Sequence, residues 1–118
     1  MNATSFELNV SVTADTRFAA TLREVAAHAA RYAGGDDAGA DRFGEAVEAV
    51  AMACLGEAVK SGGPVQVVVR RGDGPVEVLI ACERRFDAAI ASDPRITIEW
   101  TREGGHSMCR VAHLVSGT

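Results

Sequence analysis

The sequence predicts an α+β fold, a two-layer α/β sandwich in which two long helices and one short helix cover one face of a mostly antiparallel mixed sheet. Apolar residues alternate in several short segments, as in half-buried strands, and recur every three or four positions in two longer segments, as in amphipathic helices. The helical segments stand between the first strand and the later ones, which favours helices segregated to one face. At 118 residues, the chain fits one domain over residues 1–118 with a single core.

The first strand and first helix are marked by a change in apolar spacing. Residues 6–12, FELNVSV, alternate apolar and polar side chains and predict a half-buried strand. Thr13 or Asp15 is expected to cap the helix that follows, by accepting hydrogen bonds from its first backbone N–H groups. The helix should end at Gly34-Gly35, because glycine tolerates the left-handed conformation of a helix exit.

A second helical pattern runs from Phe43 to Val59 and ends at SGGP. Its many alanines indicate a buried helix that packs closely on a neighbouring element. Gly44 and Gly56 are expected to weaken this helix by up to about 1 kcal/mol each, relative to alanine.

The remaining segments predict four strands and one short helix. VQVVVRR and PVEVLIAC flank GDG, where Asp-Gly supplies the positive φ angles of a hairpin turn. Residues 84–92, RRFDAAIAS, predict a short helix that ends before Asp93-Pro94, since the residue before proline resists the α region. ITIEWTR and SMCRVAHLV predict two further strands around Gly104-Gly105.

Charge and composition argue against several classes of function. The net charge of −4 and the single lysine, Lys60, argue against a general nucleic-acid binder. No basic segment followed by an apolar run opens the chain, and no stretch approaches the ~20 apolar residues of a membrane span, so neither export nor insertion is expected. Cys54, Cys82 and Cys109 are odd in number and far apart, which indicates a reducing cytoplasm rather than a disulfide framework.

The candidate chemical groups have simple structural interpretations. Cys109 and His113 share a strand face but lie roughly 13 Å apart, too far for one metal ion, so no metal site is expected. Cys82 ends a buried strand just before Arg84 and Arg85, which could lower its pKa, but a cysteine packed as a small hydrophobe is the favoured interpretation. The paired arginines, with Arg70 and Arg71 among them, could form an anion-binding edge, although such pairs are usually solvated.

The segments VTADTRFAATLREVAAHAARYAGG, ACLGEAVKSGGPVQVVV and GPVEVLIACERRFD, taken in this order, resemble the anti-sigma-factor serine kinases of the GHKL (histidine-kinase-type) ATPase superfamily. The resemblance covers roughly the first three quarters of the chain. It implies a GHKL-like fold, in which the second long helix and the end of the third strand border a nucleotide pocket.

Members of that family carry Glu-x-x-x-Asn on the second helix, where the Asn holds the Mg²⁺ of ATP and the Glu serves as base or polarising group. When ACLGEAVKSG is aligned by AVK, Ala53 takes the Glu position and Glu57 takes the Asn position. A shift of one residue places Met52 and Gly56 there instead. Neither alignment restores the pair, so kinase chemistry loses its proton acceptor.

The next family motif, Asp-x-Gly-x-Gly, uses its Asp to bind the adenine amino group. Here it is matched by residues 82–86, CERRF, in which cysteine is a poor acceptor and Arg84 and Phe86 add bulk. The glycine-rich lid of the family is also missing. The resemblance therefore implies no catalytic residue and no metal ligand, and five candidates for a vestigial nucleotide pocket: Ala53, Glu57, Cys82, Arg84 and Arg85.

The leading hypothesis is a non-catalytic regulatory, protein-binding domain of bacterial sigma-factor or partner-switching signalling, located in the cytoplasm and needing no cofactor. The resemblance implies a sigma factor or an anti-anti-sigma protein as partner, and homodimers, which its members often form. The first helix and the sheet edge are candidate surfaces.

Two alternatives remain open. One is a divergent ATP-dependent serine kinase in which Glu57 coordinates Mg²⁺ and Arg84 or Arg85 meets phosphate. The other is an unrelated α+β domain. It would be favoured if the first strand did not join the sheet of VQVVV and VEVLIAC, or if the long helices lay on different faces. The sequence also leaves open whether a remodelled pocket binds a small ligand and whether Cys82 senses oxidation.

Overall fold

The computed structural model describes residues 5–61, 63–72, 74–82, 94–103 and 106–115. No helix in these ranges has both the length and the apolar character needed to cross a membrane. The predicted short helix at residues 84–92 lies outside the described residues. In chain order the elements are β1 (Phe6–Val12), α1 (Phe18–Tyr32), α2 (Asp37–Ser61), β2 (Val65–Arg71), β3 (Val76–Ala81), β4 (Ile96–Glu103) and β5 (His106–His113).

The five strands form one sheet in the order β1-β2-β3-β5-β4. Every neighbouring pair is antiparallel, so the prediction of a mixed sheet is wrong for the described strands. The connections explain the difference. Two antiparallel helices return the chain to the end of β1, where β2 starts back alongside it. Only a few residues separate β2 from β3 and β4 from β5, and these pairs are antiparallel.

The core lies between the sheet and both helices. Alternate strand residues face the helices, as the period of two requires, and both α1 and α2 contact the central strand β3. The predicted two-layer α+β arrangement is therefore confirmed. The principal core residues are Leu22, Phe43, Val47, Leu55, Val67, Val69, Val76, Val78, Ile80, Cys109 and Val111.

The structure confirms the predicted C-terminal end of α1 but not its predicted N-terminal cap. The helix begins at Phe18, and no side chain caps it, so the predicted cap by Thr13 or Asp15 is wrong. Asp15 instead accepts a hydrogen bond from the Arg17 backbone N–H at 2.9 Å, before the helix begins, and binds the Arg17 guanidinium. At the other end the prediction is confirmed: Gly34 has φ 101°, and the Gly35 N–H donates to the Ala30 carbonyl at 2.9 Å.

Gly44 has a packing role that the sequence did not reveal. A Cβ at this position of α2 would lie 2.9 Å from the backbone oxygen of Arg23 on α1 and 3.1 Å from its Cγ. The two helices therefore meet at a distance that only glycine permits at this point. Gly56 is different, because the nearest atom to its added Cβ would be Thr16 Cγ2 at 3.9 Å.

Candidate functional site

The two positions that correspond to the Glu-x-x-x-Asn pair lie in the last third of α2. Ala53 is half-buried and offers no polar group. Glu57, one turn later, is also half-buried, and its carboxylate lies 3.6 Å from the Lys60 ammonium on the same helix. An amide that could hold a metal and a carboxylate that could accept a proton do not occur together here.

Cys82 follows β3 and is only 4% exposed. Its backbone N–H donates to the Ser107 carbonyl of β5 at 3.0 Å, which extends the strand pairing by one residue. Its side chain lies beside that of Cys54 on α2, and Cys109 of β5 lies close to both. Three cysteines that are far apart in sequence thus form one buried group, the cysteine cluster, and none of them is in a disulfide.

The cluster is unfavourable for thiolate chemistry. Burial, and secondarily the neighbouring Cys82, raises the pKa of the Cys109 thiol to about 11. Burial also raises the pKa of Cys54 far above its ordinary value, and the nearby Cys82 adds to this effect. These two thiols remain protonated at neutral pH, and the cluster packs as apolar volume between α2 and the sheet.

Of the five pocket candidates, Ala53, Glu57 and Cys82 are described. Cys54, the residue after Ala53 on α2, lies close to Cys82 at the end of β3. Arg84 and Arg85 lie outside the described residues. No group of three His, Cys, Asp or Glu side chains within the described ranges has a geometry that could hold a metal ion.

Arg70 and Arg71, the described members of the possible anion-binding edge, make contacts within the protein. Arg70 Nε donates to Glu77 Oε1 at 2.8 Å across the hairpin. Arg71 donates to the Gly74 carbonyl and to the Ala33 carbonyl at the end of α1, both at 3.2 Å. These contacts brace the hairpin and the helix exit, and both arginines border the groove that runs along the hairpin.

A row of alternating charges crosses the sheet face that points away from the helices. This charge ladder consists of Arg70, Glu77, Arg110 and Glu99 from four successive strands. Arg110 contacts Glu77 through Nε at 2.8 Å and Glu99 through Nη1 at 2.6 Å. Partial burial of Glu77 opposes ionisation, but the hydrogen bonds from Arg110 and Arg70 outweigh it and lower the pKa of this carboxyl. The ladder ties β2, β3, β5 and β4 together.

Two surface grooves lie elsewhere. One, of about 560 Å³, runs along the β2–β3 hairpin between Phe6 and Pro75. The other, of about 270 Å³, lies on the outer side of the helices near His28 and Asp41. Neither is lined by Ala53, Glu57 or Cys82.

His28 and His113 lie in different environments, one exposed and one buried. His28 is exposed on α1, as expected of a solvated side chain. His113 is buried, and its ring stacks on Phe43 with centroids 5.5 Å apart. It packs below the first turn of α2, where a Cβ on Gly39 would lie 3.1 Å from its Nε2. His113 therefore acts as a core residue that fixes β5 against α2.

Comparison of the chain with models of known protein families finds no family that matches, and comparison with curated proteins finds no significant match.

Sequence reasoning missed the cysteine cluster and most of the charge ladder. The Arg70–Glu77 contact could have been found, because the predicted hairpin places these residues directly opposite each other. The other contacts depend on β5 lying between β3 and β4, which no local sequence signal specifies.

Proposed function

We propose that this chain is a non-catalytic, GHKL-like regulatory domain that acts by binding another protein in sigma-factor or partner-switching signalling. The observation that carries the proposal is the placement of Cys82. At the end of β3, where the resembled kinases present a carboxylate to adenine, this chain has a cysteine that is buried in the core beside Cys54. A buried cysteine side chain provides neither the carboxylate acceptor nor the space that a purine requires.

The arrangement of the elements supports the GHKL-like part of the proposal. β1 joins the same sheet as β2 and β3, and both long helices lie on one face, as this hypothesis requires. The cysteine cluster also suits a cytoplasmic location, since thiols stay reduced there.

Exposed apolar side chains offer a surface for the partner. Met52 and Val59 lie two helical turns apart on α2, on either side of Gly56, and are each about half exposed. A partner that covers this strip would contact the helix beside the vestigial pocket. Burial of Met52 and Val59 would stabilise the complex, as buried apolar anchors do at other interfaces.

The test is recovery of a stoichiometric partner when the tagged chain is purified from its own cells. A sigma factor or an anti-anti-sigma protein is the expected partner. The doubly substituted Met52→Asp, Val59→Asp chain should lose most of this binding. Thr97→Asp, which adds one negative charge at an exposed position of β4, should retain it, and each single aspartate substitution on α2 can be compared with it at equal charge. Recovery of chaperones alone would contradict the proposal.

The divergent kinase is retained as a second candidate because Glu57 presents a half-exposed carboxylate at the family's metal-binding position. Mg²⁺-dependent phosphorylation of a serine that disappears in Glu57→Ala would favour it. Undiminished phosphorylation in that variant would exclude Glu57 from the reaction.

A further inference from the structure

The groove along the β2–β3 hairpin has a volume of about 560 Å³, which is large enough for a small organic molecule. The strand register divides its lining between the two faces of the sheet. Phe6 lies directly opposite Arg71, and the period of two places both side chains on the helix side. Glu7 lies opposite Arg70, and Arg70 lies opposite Glu77, on the far side. The groove therefore curves round the end of the sheet, and its two halves differ in chemistry.

On the helix side, Arg71 is held in place by backbone carbonyls. Its Nε donates to the Gly74 carbonyl and its Nη1 donates to the Ala33 carbonyl, both at 3.2 Å. These bonds use two of the five N–H groups that a guanidinium offers, and they fix it between the hairpin and the end of α1. The remaining N–H groups make no contact with the described residues. Arg71 is thus a half-buried, oriented cation that can still donate to a ligand.

Arg71 differs from other arginines of the protein in what it contacts. Among the described residues no carboxylate pairs with it, although the chain has 16 acidic residues and 12 basic ones. Ion pairs with Asp or Glu hold other arginines, which include Arg17, Arg23, Arg31, Arg70 and Arg110. A bound anion would therefore supply the charge partner that the described part of the chain does not give to Arg71.

The two carboxylates that border the groove are engaged on its far side. Glu77 accepts hydrogen bonds from both of its neighbours in the charge ladder. Glu7 accepts a hydrogen bond from the Asn9 amide at 3.2 Å and lies opposite Arg70. The negative charges are therefore matched on the far side, and the helix-side half of the groove favours a negative ligand.

Apolar rings also border the groove. Phe6 comes from β1, and Pro75 comes from the segment just before β3. A Cβ added to Gly72 or Gly74 would meet no atom within 4 Å, so these residues leave the groove open. Because Phe6 lies opposite Arg71, a ligand whose charge meets Arg71 places the rest of its body beside an aromatic ring.

We propose that the hairpin groove binds a small aromatic carboxylate. The remaining N–H groups of Arg71 donate to the carboxylate oxygens, as a planar guanidinium favours, and the ring of the ligand packs against Phe6. One negative charge matches the one arginine on this side, whereas a phosphate group would bring more charge without a second cation. This site is separate from the strip of Met52 and Val59 on α2, and the inference is independent of the proposed regulatory function.

Titration of the isotope-labelled full chain with benzoate, followed by nuclear magnetic resonance, tests the proposal. We expect saturable shifts of the Gly72 and Gly74 backbone amides and of the Arg71 Nε–H, with a Kd of ~1 mM. Benzamide has the shape of benzoate without the charge, and acetate has the charge without the ring. Each should bind about tenfold more weakly than benzoate. Equal binding of benzamide or acetate, tighter binding of inorganic phosphate, or an unshifted Arg71 Nε–H at ~10 mM benzoate would overturn the proposal.

Two variants locate the site. Arg71→Gln removes the charge but keeps an amide that can donate to a carbonyl, and it should weaken benzoate binding about tenfold. Arg102→Gln is the matched control, because it removes one positive charge from an exposed position of β4, and it should bind benzoate like the wild type. Unchanged binding by Arg71→Gln, or an equal loss in both variants, would overturn the proposal.

A measurement on the wild-type chain covers the case in which Arg71→Gln does not fold. Nuclear Overhauser effects between the benzoate ring protons and the Phe6 ring protons are expected, because the two rings are in contact. Their absence at saturating benzoate would overturn the proposed placement of the ligand.

Discussion

Replacing Gly44 with alanine should destabilise the protein, although the same change would strengthen an isolated helix. Alanine in a helix interior is favoured over glycine by about 1 kcal/mol. At Gly44 the added methyl group would lie 2.9 Å from the Arg23 carbonyl oxygen, which belongs to the backbone of α1 and cannot rotate away. The helices must separate, and overpacking of this kind costs about 1–3 kcal/mol. We expect a net loss of about 1 kcal/mol.

Gly56→Ala is the matched control on the same helix. Its methyl group would lie 3.9 Å from Thr16 Cγ2, an ordinary contact, so only the helix preference remains. This variant should gain about 0.5–1 kcal/mol. The two variants should therefore differ by about 2 kcal/mol in free energy of unfolding, measured by urea denaturation with circular dichroism at 222 nm. Equal stabilisation by both changes would refute the close helix contact at Gly44.

Three other predictions concern the ladder and the cysteine cluster. The Arg110 and Arg70 contacts hold the folded-state pKa of Glu77 below its ordinary value of 4.5, so Glu77 stabilises the fold above that pH and loses this contribution as the pH falls. Glu77→Gln should flatten that part of the acid-unfolding curve, and an unchanged curve would contradict the role of the ladder. Cys82→Asp, which introduces the carboxylate that the resembled kinases have, should destabilise the protein by about 2 kcal/mol or more because a carboxyl group is buried, and it should confer no ATP binding. Cys82→Ser should destabilise the protein less. The thiols of Cys54, Cys82 and Cys109 should react with Ellman's reagent only after unfolding; rapid reaction of the native protein would contradict the buried cluster.

The regular elements were predictable where a local pattern specifies them. Alternation in FELNVSV and VQVVVRR marks strands because one face of the sheet is buried, and the antiparallel pairing of β2 with β3 places Arg70 opposite Glu77. The end of α1 was predictable for the same local reason, since Gly34 adopts the positive φ that a helix exit requires. The positive φ expected of the Asp-Gly turn is wrong for its described glycines, because neither Gly72 nor Gly74 has a positive φ.

The interactions between distant segments were not predictable. The role of Gly44 depends on where α2 crosses α1, and the cap expected from Asp15 failed because that carboxylate binds the Arg17 guanidinium. The surroundings of Cys82 depend on tertiary packing, because its neighbours Cys54 and Cys109 belong to α2 and β5. Local pattern thus predicted the regular elements, whereas tertiary packing determined which side chains surround Cys82.

Calorimetric titration with ATP and ADP, with and without Mg²⁺, tests the central claim that this domain does not use a nucleotide. The protein concentration should be high enough for the titration to detect a Kd of ~100 μM, equivalent to about −5.5 kcal/mol. Circular dichroism should show that the sample is folded. The account predicts no saturable heat of binding under any of these conditions. Saturable, Mg²⁺-dependent binding that Glu57→Ala abolishes would contradict it.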